Sequence, residues 1–278
     1  MPHSRERLPS ALDRLDGILA QAGRRGIMLF LDYDGVLAPI VSRPENAAPA
    51  AGMVEALRRA SRSMTLAVVS GRGLDDVRRR IGLDGIAYAG SHGFEILTPD
   101  GRRVENEEAA AFLPELDRAQ AALDERLAGI DGVLVERKPF AIAVHYRLAA
   151  EAAIPRIESI VGETAARCPH LEQLGGKKIF ELRPAVDWHK GKAVLWLLDA
   201  LHASPDAILP IYIGDDRTDE DAFAALRDRG IGIFVGPADA DTAARYALSD
   251  PEQVRAFITA LADGPRRPAD ARKGRETL

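Results

Sequence analysis

The sequence predicts a doubly wound α/β fold, with a Rossmann-like parallel-sheet core and an inserted, smaller α+β cap domain. Two observations predict the core. Short apolar, β-rich segments alternate with helical patterns, which is typical of βα units around a parallel sheet. These segments are continuously apolar, as in strands that helices cover on both faces. The third observation predicts the insertion: the middle of the chain changes to two successive helix–strand–strand units.

The core is expected to contain five strands and five helices. The predicted strands are residues 27–32, 65–69, 86–89, 208–213 and 231–235. The predicted helices are residues 54–61, 74–81, 192–201, 220–229 and 252–262. Residues 264–278 are basic, aperiodic and contain prolines, so we expect a loosely ordered tail.

The predicted cap domain covers residues 105–184, and the core covers residues 1–104 and 185–278. The expected cap elements are helices at about 107–127 and 153–167 and strands at 133–137, 140–147, 171–174 and 178–183. Gly175 and Gly176 are expected to supply the positive φ of the second hairpin turn. The four strands would form an antiparallel sheet with helices on one side.

Composition limits the classes of function. The 278 residues are 46% hydrophobic and 28% charged, and a net charge of −5 from mixed acids and bases offers no broad basic surface for nucleic acid. The first 25 residues are charged and lack the apolar segment of a signal peptide. No apolar run approaches the ~18 residues of a membrane span. We therefore expect a cytoplasmic protein, a monomer or weak dimer, that binds neither nucleic acid nor membranes.

Two carboxylates, Asp32 and Asp34, follow the first strand in the string Asp32-Tyr33-Asp34-Gly35. Uncompensated buried charge is costly, so an apolar strand that ends this way suggests a function. Side chains at i and i+2 point to the same side of an extended chain, and open α/β sheets bind ligands beyond the carboxyl ends of their strands. Taken alone, the string also fits an exposed acidic turn.

Three further groups lie at predicted strand ends or helix starts. Ser70-Gly71-Arg72 suits a phosphoryl group, although most such triplets are ordinary turns. Lys190 can offset anionic charge, although lysines near helix starts are usually solvated. Five carboxylates occur within residues 215–221. Acids stabilise a helix N-terminus, which explains residues 219–221 better than Asp215, at the strand end. The pooled hard oxygen ligands indicate Mg²⁺.

This constellation resembles the haloacid dehalogenase superfamily of phosphotransferases. The resemblance implies that Asp32 attacks phosphorus to form an aspartyl-phosphate, while Asp34 acts first as general acid and then as general base. Ser70 and Lys190 would bind the transferring phosphoryl oxygens. The implied metal ligands are Asp32, the backbone carbonyl of Asp34, and Asp215, with Asp216 and Asp219 in an outer shell or bound through water.

Longer strings resemble the trehalose-6-phosphate phosphatases in particular. The most specific are Gly176-Lys177-Lys178-Ile179-Phe180-Glu181-Leu182-Arg183-Pro184 and Gly214-Asp215-Asp216-Arg217-Thr218-Asp219-Glu220. The resemblance implies hydrolysis of trehalose 6-phosphate, the last step of trehalose biosynthesis. The implied substrate-binding residues are Asp32, Tyr33, Asp34, Ser70, Gly71 and Arg72 in the core and Arg137, Arg147, Lys177, Lys178, Glu181 and Arg183 in the cap. For Glu181 and Arg183, a solvated sheet face is the alternative.

Two departures from the superfamily pattern concern the site itself. Val36 stands where a threonine is usual, and His189 stands before Lys190 where an acidic or amide residue is commoner. Two other functions stay open. One is hydrolysis of a different sugar phosphate, such as sucrose 6-phosphate or glucosylglycerol phosphate, and the other is a non-catalytic, phosphatase-like regulatory domain.

Overall fold

The computed structural model describes residues 7–23, 25–176, 178–201 and 207–264. Its strands are β1 (Gly26–Leu31), β2 (Thr65–Val69), β3 (Ala87–Gly90), β4 (Glu95–Leu97), β5 (Arg103–Glu105), β6 (Leu134–Lys138), β7 (Ala141–His145), β8 (Leu171–Gly176), β9 (Ile179–Pro184), β10 (Ile208–Gly214), β11 (Ile231–Val235) and β12 (Tyr246–Leu248). Its helices are α1 (Leu15–Ala22), α2 (Met53–Ala60), α3 (Leu74–Ile81), α4 (Glu107–Ala110), α5 (Leu113–Leu127), α6 (Ile154–Ala166), α7 (Lys190–Leu201), α8 (Glu220–Leu226) and α9 (Pro251–Asp263).

The larger sheet has eight strands in the order β12-β11-β10-β1-β2-β3-β4-β5. Neighbours are parallel from β12 to β3, and β4 and β5 extend the sheet as antiparallel strands. Successive side chains of β1 enter opposite cores. Leu29 and Leu31 pack with α1, α2, α3 and α9, whereas Met28 and Phe30 pack with α7 and α8. This covering of both faces confirms the predicted doubly wound fold.

The smaller sheet is antiparallel, in the order β6-β7-β9-β8. Ile142, Val144 and Leu182 point to one face, where they pack against α5 and α6 in a separate core. Glu136, Ala143 and Glu181 are cross-strand neighbours on the opposite face. This second face is turned towards the carboxyl ends of the parallel strands and forms one wall of a cleft. The division of the chain at residues 105 and 184 stays a prediction.

The structure differs from the sequence-based elements in several places. The helical pattern at 107–127, which the sequence leaves open as one helix or two, forms two: Asn106 caps α4 by accepting a hydrogen bond from Ala109 N–H (2.9 Å), and α5 starts afresh around Pro114. The prediction for Gly175 and Gly176 was wrong. Both glycines pair within the β8–β9 ladder, and the positive φ (68°) is at Lys178. The three-residue strands β4, β5 and β12, and α1, were not predicted.

Two predictions fall on parts of the chain that are not described. Residues 265–278 of the predicted tail and Lys177 lie outside the described residues. Within the described ranges, none of the helices has both the length and the hydrophobicity that crossing a membrane would require.

Candidate active site

Asp32 follows β1 directly, at the carboxyl edge of the parallel sheet. Its backbone N–H donates to the carbonyl of Ile213 (3.0 Å), so the pairing of β1 with β10 continues up to the functional residue. The residue is only 6% exposed. One carboxylate oxygen accepts the Tyr33 N–H (2.7 Å), and the other lies 2.9 Å from Lys190 Nζ. Asp32 is thus fixed, and its charge is partly neutralised.

Asp219 organises the loop between β10 and α8 from a fully buried position. Its two oxygens accept four hydrogen bonds, from Lys190 Nζ (2.7 Å), the Tyr212 hydroxyl (2.6 Å) and the N–H groups of Asp215 and Asp216 (2.9 Å each). These bonds use the acceptor capacity of the carboxylate. Burial would lower the pKa of Lys190, but Asp219 and Asp32 raise it well above its usual value. Lys190 therefore stays a cation at physiological pH.

Asp215 completes a cluster of three carboxylates. Oxygen atoms of Asp32, Asp215 and Asp219 all lie within 4.8 Å of one another. Gly35 makes room for this cluster: its φ is +79°, and a methyl group at this position would lie 2.2 Å from Asp215 Oδ2. Burial raises the pKa of Asp32 well above its usual value, and repulsion by Asp219 and Asp215 adds to this effect despite the opposing Lys190. Excess negative charge of this kind fits a divalent metal ion.

Asp216 and Asp34 lie apart from this cluster. The Asp216 side chain caps the short turn that follows it, by accepting the Arg217 N–H (2.7 Å). The Asp34 side chain, 43% exposed, accepts two parallel hydrogen bonds from Arg72, 2.7 Å from Nε and 2.8 Å from Nη2. The sequence predicted Arg72 as a substrate-binding residue, and the structure places its guanidinium on Asp34.

Ser70 and Gly71 lie in the loop after β2. Ser70 is 1% exposed, and its hydroxyl accepts the Arg72 N–H (3.2 Å). A methyl group at Gly71 would lie 2.7 Å from the His92 ring, so a larger residue here would displace the ring or the loop. His92 itself has a positive φ of 59°, and its N–H donates to the Ser70 carbonyl (2.9 Å). The histidine therefore packs directly on the predicted phosphate-binding loop.

Glu181 of β9 connects the cap sheet to this loop. Its carboxylate lies 2.7 Å from Lys138 Nζ and 3.2 Å from His92 Nε2. Burial would raise the pKa of Glu181, but Lys138 and His92 hold it well below its usual value. Sequence analysis missed Lys138 and named its neighbour Arg137, which binds Asp117 of α5 (2.9 Å). Strand alternation was the available signal, because adjacent residues of β6 point to opposite faces.

The remaining predicted residues have different surroundings. Arg147 and Arg183 line the cleft, and Arg183 Nε donates to Glu172 (2.7 Å). Lys178 is exposed in the β8–β9 hairpin. Tyr33 differs from the expectation of a substrate contact, because its side chain is fully buried in the core and its hydroxyl donates to the Ala47 carbonyl (3.0 Å). The Tyr33 N–H binds Asp32, and the Tyr33 ring packs beneath the Arg72 guanidinium, which lies 5.1 Å from the ring centre.

The cleft between the two sheets has a volume of about 1070 Å³. Its floor contains Asp32, Asp34, Lys190 and Asp215, and its opposite wall contains Glu181 and other residues of the cap sheet. A space of this size lies slightly above the range of small-molecule sites, which is about 300 to 1,000 Å³. Acidic groups and cations thus face a space large enough for a small organic ligand.

Comparisons with known proteins agree with this geometry. A family model described as trehalose-phosphatase matches residues 30–252. A trehalose-phosphate phosphatase of Mycobacterium marinum is 44% identical over 258 residues, which is 91% of this chain and 64% of that protein. The corresponding protein of Mycobacterium tuberculosis is 45% identical over 262 residues, covering 92% and 66% of the two chains.

A solved structure shares the same fold over nearly the whole chain. The C-terminal domain of a trehalose-6-phosphate phosphatase from Candida albicans superposes with a TM-score of 0.79 at 25% identity, covering 94% of this chain and 99% of that one. The chain spans less than two thirds of the length of the two mycobacterial relatives, at 64% and 66%. The family model nevertheless covers most of the chain, from the last residues of β1 to the start of α9. The chain therefore belongs to the trehalose-phosphatase family.

Proposed function

We propose that this protein hydrolyses trehalose 6-phosphate to trehalose and phosphate, with Asp32 as nucleophile. The observation that carries the proposal is the buried Asp32 carboxylate, 2.9 Å from Lys190 Nζ at the floor of the cleft. Family membership and the activity of the two mycobacterial relatives, which are trehalose-phosphate phosphatases, support this substrate.

The residues at the cleft floor fit a divalent metal ion, and we propose Mg²⁺ because the available ligands are hard oxygens. Asp32, Asp215 and the backbone carbonyl of Asp34 would hold it. The oxygens of Asp219 already accept four hydrogen bonds, so Asp219 would hold the surrounding groups in place without binding the ion directly. Asp216 would also not bind the ion directly. When bound, the ion would supply positive charge that offsets the negative charge of the phosphoryl group.

The chain's own residues would act in two steps. In the first, the Asp32 carboxylate forms a bond to phosphorus while the bond from phosphorus to the sugar oxygen breaks. Asp34, which starts this step protonated on an oxygen lone pair that Arg72 does not use, gives its proton to that sugar oxygen. In the second, Asp34 takes a proton from water, whose oxygen attacks phosphorus and releases phosphate from Asp32. Ser70 and Lys190 would bind the phosphoryl oxygens throughout. Asp32 and Asp34 are then restored to their starting states.

The cap sheet would bind the two sugar rings. Glu181, Arg183 and Arg147 line the cleft opposite the phosphoryl site, and the buried Lys138 beside Glu181 adds a cation to this wall. Lys178 and Arg137 remain predicted contacts, and Lys177 is a prediction for a residue that is not described. Cleft volume supports a disaccharide better than a small phosphate ester. We also propose a cytoplasmic enzyme, monomeric or weakly dimeric, that does not bind nucleic acid.

The test is phosphate release from a panel of trehalose 6-phosphate, sucrose 6-phosphate, glucosylglycerol phosphate and glucose 6-phosphate, each with Mg²⁺ and with a chelator. We expect turnover of trehalose 6-phosphate that exceeds the others by at least about tenfold and is lost with the chelator or in Asp32→Asn. Equal turnover of all four esters would contradict the proposed substrate. No release from any ester with Mg²⁺ would favour the non-catalytic regulatory domain.

A further inference from the structure

Arg72 is engaged almost entirely by acceptors of the protein. Its side chain is 11% exposed. Nε and Nη2 donate to the two oxygens of Asp34 (2.7 and 2.8 Å), Nη2 also donates to the Pro44 carbonyl (3.0 Å), and Nη1 donates to Asp76 (3.1 Å). The guanidinium also lies over the Tyr33 ring, 5.1 Å from its centre. Four of the five N–H donors of an arginine are thereby used.

These contacts leave Arg72 few N–H donors for a phosphoryl group. Arginine usually binds phosphate through two parallel N–H donors of its planar fork. Here that fork binds the Asp34 carboxylate. To reach a phosphoryl group, Arg72 would have to give up both hydrogen bonds to Asp34 and leave the Tyr33 ring.

Asp34 depends on this contact for its orientation. It follows the end of β1, and its side chain is 43% exposed at the edge of the cleft. In the part of the chain that the structure describes, Arg72 is the side chain shown holding the Asp34 carboxylate. Arg72 is itself held by Asp76, which also accepts hydrogen bonds from Arg79 (2.9 Å) and Arg80 (2.8 Å) of α3. The orientation of Asp34 is thus set by a chain of ion pairs that begins on α3.

We propose that Arg72 is a positioning residue, which fixes the Asp34 carboxylate for proton transfer and does not bind the transferring phosphoryl group. This inference rests on the proposed function, in which Asp34 protonates the leaving oxygen. A general acid must be placed within hydrogen-bond reach of that oxygen, and misplacement by about 1 Å can cost ~100-fold in rate. Arg72 acts through Asp34 alone.

The test uses phosphate esters whose leaving groups differ in basicity. A 4-nitrophenolate leaves with little help from a general acid, whereas a sugar alkoxide needs its proton. Arg72→Gln should therefore lower kcat/KM by about threefold or less for 4-nitrophenyl phosphate and by about 100-fold for a sugar phosphate. Arg78→Gln is the matched control, since it removes the same charge from α3, where Arg78 binds Asp84 (3.3 Å) and lies outside the chain from Asp76 through Arg72 to Asp34. Its loss should be small and equal for all esters.

A double-mutant cycle identifies the route of the effect. In an Asp34→Asn background, Arg72→Gln should cause no further loss that depends on the leaving group. An equal loss for every ester, present in both backgrounds, would show that Arg72 binds the phosphoryl group and would overturn the proposal. An unchanged rate for every ester would also overturn it.

Two provisions keep these outcomes distinct. If Arg72→Gln does not fold, Arg72→Lys keeps the charge but lacks the fork, and its loss must still grow with leaving-group basicity. The ester series does not require trehalose 6-phosphate. If the wild type hydrolyses other alkyl phosphates instead, the proposed substrate is wrong. The dependence of the Arg72→Gln rate loss on leaving-group basicity still tests the role of Arg72. A wild type that is inactive on every ester would contradict both proposals.

Discussion

Two buried carboxylates of the site, Asp32 and Asp219, differ in the number of donors they accept. Asp219 accepts four hydrogen bonds, while Asp32 is bound by the Tyr33 N–H and Lys190 Nζ. A carboxylate has about four acceptor positions, so Asp32 keeps capacity for a ligand and Asp219 does not. This difference separates a reactive carboxylate from one that supports the site.

Gly35→Ala tests the packing of the carboxylate cluster. Its methyl group would collide with the Asp215 carboxylate, so we expect the Mg²⁺ concentration for half-maximal activity to rise at least about tenfold. Gly101→Ala is the matched control, because Gly101 also has a positive φ (+87°) but nothing within 4 Å of an added methyl group. Both variants bear backbone strain of about 1–2 kcal/mol. The same Mg²⁺ requirement in both would contradict the assignment of Asp215.

Lys138→Met tests the buried pair with Glu181. It leaves Glu181 charged and buried without its main partner, so the free energy of unfolding at pH 7 should fall by about 3 kcal/mol. The pKa of Glu181 is depressed in the wild type, so the pair stabilises the protein above the usual carboxyl pKa of about 4.3. That contribution is lost as the pH falls through the folded pKa. In Lys138→Met the effect of burial on Glu181 is no longer opposed by Lys138, so the pKa of this carboxyl rises and Glu181 takes up a proton as the pH falls. The deficit of the variant should therefore shrink between pH 7 and pH 4 in denaturant titrations.

The control for this pair is Lys192→Met, because Lys192 binds the exposed Asp187 at the surface. Solvent screens such pairs, so this variant should stay close to the wild type at both pH values. A deficit for Lys138→Met that is equal at pH 7 and pH 4 would show that lost packing, and not the charge, accounts for it.

The elements of the core could be predicted from sequence because their apolar periodicity is strong. Parallel strands end at the same edge, so Asp32, Ser70 and Asp215 could be brought together without a structure. Lys190 at the start of α7 joined them for the same reason. The ion-pair partners of the residues at that edge could not be predicted. The Arg72–Asp34 pair, for example, depends on the rotamers of both side chains. The short edge strands carry three residues each, too few to show a period.

The loop between β10 and α8 makes an element-level prediction. In Asp219→Asn one acceptor becomes an NH₂ group, which must face either the Lys190 and Tyr212 donors or the two loop N–H groups. We expect kcat to fall about 100-fold and the protein to lose about 3 kcal/mol of stability. Tyr212→Phe removes one bond of the same set and should cost about 1 kcal/mol. Wild-type kcat and stability in Asp219→Asn would rule out this organising role.

At the scale of the whole molecule, the site exists because the cap sheet faces the carboxyl edge of the core. Direct contacts between the two include His92 with Glu181 and the Phe94 and Phe140 rings, whose centres are 5.5 Å apart. The sequence patterns predicted a parallel-sheet core and an antiparallel cap sheet. They did not predict where the cap lies relative to the core. His92 and Glu181 are 89 residues apart, and no local pattern reports such a contact.

The central claim is that Asp32 carries the phosphoryl group during turnover. The most direct measurement is rapid acid quenching of the enzyme with trehalose 6-phosphate and Mg²⁺, then borohydride reduction and peptide mass spectrometry. Reduction converts an acyl phosphate to an alcohol, so we expect homoserine at position 32, and none in a sample without substrate or in Asp32→Asn. An unmodified Asp32 in a quenched enzyme that is turning over, or homoserine at another position, would contradict the account.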